Sequence, residues 1–265
     1  MITTTKVGAP CWLDIGSPDI PVTSAFYSKV LGWEFESAGP DMGGYGTFKA
    51  DGKTVGAVGQ LDEEGAKSGW MIYFNTGDAD ATAQAVEQAG GAVRAEPFDV
   101  MDEGRMAQLT DPTGGQFAVW QGAKGEASFL QAVSTPGALT WVELYTADQQ
   151  AATDFYRTLF GWETSDMPLP EEMPGVYRIV GTGPEPMEDG HGGIMEMETS
   201  ELRDGKAYWS PVFEVSDCDA AAAQVTEGGG TLLMGPEDMP DVGRVAVCRD
   251  PFGAPFSVLT SAPTG

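Results

Sequence analysis

Apolar and polar residues alternate in four short segments of the chain: CWLDIG from Cys11, WMIYFNT from Trp70, TWVELYT from Thr140 and YWSPVFEV from Tyr208. A period of two is the pattern of a half-buried strand. Each segment runs into an Asp and then a stretch with the three-to-four spacing of an amphipathic helix. Asp19, Asp78, Asp148 and Asp217 each precede a glycine by 13 residues, at Gly32, Gly91, Gly161 and Gly230. An Asp there is a good N-cap, because its carboxylate accepts the orphan N–H bonds of a first turn. A Gly at that distance suits the left-handed position that ends a helix of about three turns. Further β-like runs follow every glycine, among them GTFKA, GQFAVWQ, GGIMEM and PFSVL. The pattern predicts strand, helix and three strands, written four times.

The repetition has a second level. FYSKVLGWEF at Phe26 returns as FYRTLFGWET at Phe155, and Trp12, Asp19, Phe26, Gly32 and Trp33 recur at an offset of 129. Trp70, Asp78, Gly91, Pro97, Gly104, Arg105, Asp111, Pro112 and Gly114 recur at an offset of 139. The chain is an internal duplication with an insertion of ten residues between Trp162 and Trp209, placed around PLPEEMPG or GPEPMEDG. The expected organisation is a first domain over 1–125, a Gly/Ala/Ser-rich linker over 126–135 and a second domain over 136–265.

Composition narrows the partners. With 14 Lys and Arg against 40 Asp and Glu, the net charge of −26 repels nucleic-acid phosphates and anionic lipid. Cys11, Cys218 and Cys248 show no CxxC spacing, which fits a reducing cytoplasm and neither a disulfide framework nor a zinc knuckle. MITTTKVGAPCW has no apolar core of a leader, and no later run is long enough to span a bilayer. The expectation is a soluble cytoplasmic protein, monomeric or homodimeric, with no nucleic-acid or membrane partner. The GGYG and GGG glycines lack dinucleotide-binding register, and no Ser or Cys sits in a nucleophile elbow.

Four βαβββ units, FYxxxxGWE after the first helix of each half and GR…DPxG near its end resemble the vicinal oxygen chelate superfamily. That superfamily includes glyoxalases, extradiol dioxygenases and bleomycin-resistance proteins. The resemblance implies an α+β fold of tandem glyoxalase-like domains, in which paired units curl into open cup-shaped sheets around a ligand. Many members hold a divalent metal through His, Gln or Glu. The resemblance puts those ligand positions at Trp12 and Trp141 on first strands and at Ala118 and Ser257 on last strands. None of these side chains is a credible ligand. No cofactor is therefore expected, and the one histidine, His191, reads first as a loop or surface residue.

If the former metal position faces the cup, alternation turns Trp12 and Asp14 inward in one half, and Trp141, Glu143 and Tyr145 in the other. Indoles beside a carboxylate suit a planar or apolar ligand, and they raise the acid's pKa toward neutrality. Asp14 and Glu143 are the candidate general bases, with His191 as a further catalytic candidate. Trp12, Trp141, Tyr145, Tyr45, Gln60, Met195, Met197 and Trp209 are candidate ligand contacts, and Trp70 and Tyr177 could line the cups with them. The competing structural reading packs the tryptophans in a core and pairs the acids with Arg105 and Arg244. The leading functional expectation is metal-independent binding of an apolar or aromatic small molecule, in secondary metabolism, resistance or detoxification. Its rivals are a lyase, isomerase or cyclase using Glu143 or Asp14 as base, and a metal enzyme with Glu143, His191 and Glu196.

Overall fold

In the computed structural model, residues 2–61, 66–169 and 175–263 are described. The four-fold pattern is realised element by element. Module one contains β1 (Pro10–Ser17), α1 (Ile20–Leu31), β2 (Glu34–Ser37), β3 (Gly46–Ala50) and β4 (Lys53–Gln60). Module two contains β5 (Gly69–Asn75), α2 (Ala79–Gln88), β6 (Ala92–Val100), β7 (Gly104–Thr110) and β8 (Gln116–Gly122). Module three contains β9 (Leu139–Thr146), α3 (Gln149–Phe160), β10 (Glu163–Pro168), β11 (Val176–Gly181), the added short helix α4 (Pro186–Asp189) and β12 (Gly190–Glu196). Module four contains β13 (Tyr208–Glu214), α5 (Cys218–Glu227), β14 (Thr231–Met239), β15 (Gly243–Arg249) and β16 (Pro255–Ser261).

Within every module the first strand lies parallel beside the last, as β1 with β4, β5 with β8, β9 with β12 and β13 with β16. The other pairs within each module are antiparallel. The sheets are curled and partly open, ending on β2, β6, β10 and β14. Part of the inserted length lies between β11 and β12, where residues 182–189 and α4 replace the tight turn at Asp51 and Gly52 in module one. The PLPEEMPG stretch falls largely outside the described residues.

The helix signals are local, and the four aspartates do what their chemistry dictates. Asp19, Asp78, Asp148 and Asp217 each accept from the N–H three residues on, at 2.9–3.0 Å. Gly32 and Gly161 take the left-handed conformation expected after α1 and α3. Gly91 and Gly230 do not. In those helices the left-handed residue is one earlier, at Gly90 and Gly229. Gly91 is needed for close approach instead, since a Cβ there would lie 2.6 Å from the Thr110 carbonyl and 2.7 Å from Val86.

The chain divides into two compact units. One comprises Met1–Trp12, Met71–Phe129 and Trp141–Trp209, and so holds modules two and three. Its core stacks Tyr156 on Trp162 at 4.8 Å, with Phe74, Phe117, Phe160 and Trp209 around them. The Trp162 indole donates to the Gly8 carbonyl at 2.9 Å, and the Tyr156 hydroxyl donates to Asp111 at 2.9 Å. Asp111 also folds the DPTG turn by accepting from Thr113 and Gly115. The second unit comprises Leu13–Trp70, Leu130–Thr140 and Ser210–Gly265. It repeats the arrangement: Tyr27 stacks on Trp33 at 5.6 Å, and the Trp33 indole donates to the Gly137 carbonyl at 2.6 Å. The FYxxxxGWE phrase therefore serves packing. Buried polar atoms need partners, and these indole and phenol groups have them.

Candidate active site

Strand β9 alternates as its sequence requires: Val142, Leu144 and Thr146 are buried, whereas Trp141, Glu143 and Tyr145 are half-buried on the opposite face. The three outward residues form a connected polar system. Tyr145 donates its hydroxyl to one Glu143 oxygen at 2.7 Å, and Tyr177 donates to the other at 2.9 Å. The Trp141 indole N–H donates in turn to the Tyr177 hydroxyl at 2.7 Å. Tyr145 also stacks on Tyr208, with ring centres 5.2 Å apart. In the β11–β12–β9 register, Met195 is level with both Tyr177 and Tyr145, and Gly193 is level with Glu143.

Electrostatics follow from this setting. Burial raises the Glu143 pKa above the ordinary carboxylate value, and the two phenol donors act in the opposite direction by favouring the ion. Burial first, and the Glu143 charge second, push both phenols well above their usual range. Near neutral pH the tyrosines are thus donors, and the carboxylate is the one group at the cluster that can take a proton. An acid held in this way can serve as a general base.

The other expected residues scatter. Asp14 and Trp12 share the half-buried face of β1, and Trp12 packs against the cluster of Cys11, Tyr73, Met106, Trp120 and Phe129. Tyr45 is half-buried at the entrance to β3. Gln60 is exposed, and its amide donates to the Pro18 and Leu61 carbonyls. Met197 is half-buried just past β12. Trp209 belongs to the aromatic core, where it is 2% exposed and donates to Tyr156 at 2.9 Å. Trp70 is likewise buried and donates to Tyr27 at 3.1 Å.

His191 corrects the loop or surface expectation. It lies inside β12, and not on the face of Gly193 and Met195 that unbroken alternation along the strand would give it. Its ring packs edge-on against Trp162 at 4.9 Å, 2% exposed, and burial drives its pKa down to about 3. The cause is a register shift: Val180 pairs with Gly192 but Gly181 pairs with Gly190, so His191 is the extra residue of a bulge. Alternation counted through a bulge gives the wrong face. Glu196 caps the start of α3 through the Gln149 N–H, so the set Glu143, His191 and Glu196 does not converge. Arg105 pairs with Asp80 and Asp99, and Arg244 with Asp219 and Asp238. The structural reading in which these arginines neutralise Asp14 and Glu143 therefore falls.

The residues present do not fit the metal of the resembling family. Among the described residues no group of three or more His, Cys, Asp or Glu could hold an ion. Ala118 and Ser257 are buried and are not the carboxylates such a site uses. Also among the described residues, no helix is long and apolar enough to cross a membrane.

Tyr208 was not a sequence candidate, and Tyr177 was only a possible cup residue. Tyr177 precedes the alternating pair Arg178 and Ile179, which gave a usable signal; Tyr208 required knowledge of which strand β9 meets in space.

The family model described as "Glyoxalase/Bleomycin resistance protein/Dioxygenase superfamily" matches the chain twice, over 11–119 and 138–258. The anthracycline biosynthesis protein DauV of Streptomyces sp. (strain C5) is 38% identical over 267 residues, covering 95% of this chain and 93% of DauV. Among solved structures, the 2,3-dioxygenase LapB from Pseudomonas sp. KL28 is 14% identical with a TM-score of 0.66, covering 98% of this chain and 94% of that one. The Mn(II)-bound glyoxalase from Novosphingobium aromaticivorans is 20% identical with a TM-score of 0.63, covering 97% and 84%. At such identities the structural likeness speaks for the fold alone.

Proposed function

The chain belongs to the glyoxalase/bleomycin resistance protein/dioxygenase superfamily, and from that premise we propose that it is an enzyme of lyase or isomerase type, with Glu143 as general base on a small, planar, uncharged organic molecule. The observation that carries this reading is the half-buried Glu143 carboxylate bonded by two phenols. Trp141, Tyr145, Tyr208 and Met195 supply flat or apolar surface and no positive charge, and the net charge of −26 disfavours anions. The name of the Streptomyces relative, an anthracycline biosynthesis protein, supports a place in secondary metabolism.

In the proposed step Glu143 draws a proton from a C–H or O–H of the bound molecule. As the carboxylate is neutralised, the Tyr145 or Tyr177 hydroxyl is released and turns to the substrate oxygen on which negative charge collects. The electron pair left behind expels a leaving group or takes a proton back at another atom. The first outcome is a lyase reaction and the second an isomerisation. No step is routed through a metal. Residues 1–125 and 136–265 are read as two domains, a division that the twice-matching family model supports.

The test is solvent deuterium exchange into a panel of aromatic ketones and quinones. The wild-type protein should label at least one C–H beside a carbonyl, and Glu143→Gln should slow labelling by about 10²–10⁴-fold with binding retained. Equal rates in the two proteins would remove Glu143 from the mechanism. Tight binding without exchange by the wild type would return the reading to sequestration.

A further inference from the structure

We propose that Gly193 is a positioning residue for Glu143: the absence of a side chain there lets the Tyr177 phenol reach the carboxylate. The inference deepens the reading of Glu143 as a base, and it concerns how the acid is held rather than what it turns over. Gly193 lies on β12 level with Glu143 on one side and Ile179 on the other. Tyr177 is level with Met195, two residues along the strand, yet its hydroxyl meets Glu143 at 2.9 Å. To get there the ring crosses above Gly193. A methyl group built on Gly193 would collide with the Tyr177 ring and with its hydroxyl oxygen, and these supply all three of its nearest atoms.

The backbone makes no such demand. Gly193 is not among the positive-φ glycines, so an L-residue could adopt its conformation. Nearby Gly190 would meet Trp141 at 2.8 Å, but also the Pro186 carbonyl at 2.5 Å, so the argument stands on Gly193. The duplicated module supplies a control written into the chain. There Ala57 is level with Asp14, as Gly193 is with Glu143. The duplicate thus carries a Cβ where β12 has none, and a Cβ built at the next same-face position, Gly59, would meet the Tyr45 ring at an ordinary 3.4 Å.

The experiment needs no substrate. The protonation of Glu143 is followed with pH by infrared difference spectroscopy on ¹³C-Glu-labelled protein, with Glu143→Gln as the reference. Tyr177→Phe removes a donor to the charged form and should move the Glu143 titration upward. Gly193→Ala should move it by the same amount, and the double variant no further. Thermal midpoints give the second readout: Gly193→Ala should lower the midpoint in the wild-type background and leave it unchanged beside Tyr177→Ala, where the methyl has room. An unshifted titration in Gly193→Ala would overturn the proposal, as would additivity with Tyr177→Phe. An equal loss of midpoint in both backgrounds would overturn it too. If Gly193→Ala alone does not fold, the double variant with Tyr177→Ala should fold, and its failure to do so counts against the idea. A missing reaction in every assay would bear on the base reading and leave the titration result standing.

Discussion

Strands β1 and β9 began as the same strand, and they have kept the same grammar: tryptophan, core residue, acid, core residue, then a fifth position. The acids differ by one methylene, Asp14 against Glu143. The fifth positions differ far more. On β9 it is Tyr145, which bonds the acid and stacks on Tyr208. On β1 it is Gly16, over which Leu61 lies so closely that a Cβ would come within 2.7 Å of it. A duplicated fold carries two copies of a scaffold at no extra design, but a site needs each surrounding position to agree. The two copies differ at the fifth position and also at the level of the acid, where Ala57 stands beside Asp14 and Gly193 beside Glu143.

The largest expected effect asks whether the two acids are equivalent. Glu143→Gln should reduce turnover by about 10²–10⁴-fold, whereas Asp14→Asn should change it by only a small factor. Equal losses measured in the same exchange assay would show that the difference at the fifth position is immaterial. The next effect asks whether the two aromatic cores are equivalent in stability. Trp162→Phe and Trp33→Phe each leave a buried glycine carbonyl without its donor and remove ring volume. Each should cost about 2–4 kcal/mol in denaturant unfolding.

A third prediction uses an asymmetry of charge. His191 corresponds to Val55 in the duplicate, and both are fully buried. With a folded pKa of about 3, below the value near 6.5 in an unfolded chain, His191 stays neutral while the unfolded state binds a proton. Its contribution is therefore present above pH 6.5 and is lost as pH falls from 6.5 toward 3, reaching about 2 kcal/mol at pH 5. Glu143 and Asp111, whose pKa values are raised, work with the opposite sign: they cost stability as pH rises through their folded values. His191→Val should flatten the loss between pH 6.5 and 4 in thermal melts, and an unchanged slope would clear His191 of the effect. Smaller again, Tyr145→Phe should move the acid limb of the pH–rate profile upward, since a donor to the ion is gone. Smallest of all, Arg105→Ala should leave the unfolding midpoint nearly unchanged despite its two partners, because both of the acids it pairs with are solvent-exposed.

What the sequence made legible was local. The four aspartate caps, the left-handed Gly32 and Gly161 and the alternation of β1 and β9 follow from neighbours a few residues away. Trp141, Glu143 and Tyr145 came out together for that reason. The failures have a common cause in pairing between strands. The bulge at the start of β12 turned His191 into the core, and nothing in HGGIMEM announces it. Trp209 stands one residue beyond Tyr208, and which of the two faces Tyr145 depends on strand register. Gly91 and Gly230 read as helix ends because a 13-residue spacing is blind to the carbonyl of a strand packed against them.

The division into units has a consequence for how the polypeptide is made. The unit holding Glu143 is nearly continuous along the chain, with modules two and three emerging from the ribosome one after the other. The other unit joins the first module to the last, so its opening strands and helix are complete long before their core partners Phe213 and Phe256 exist. Tyr27 and Trp33 must spend most of synthesis without that shelter, and loop closure over such a distance is slow to be rewarded. During translation the first module written is the last to be secured, and the exposed stretch that a chaperone would meet is the one beginning at Leu13.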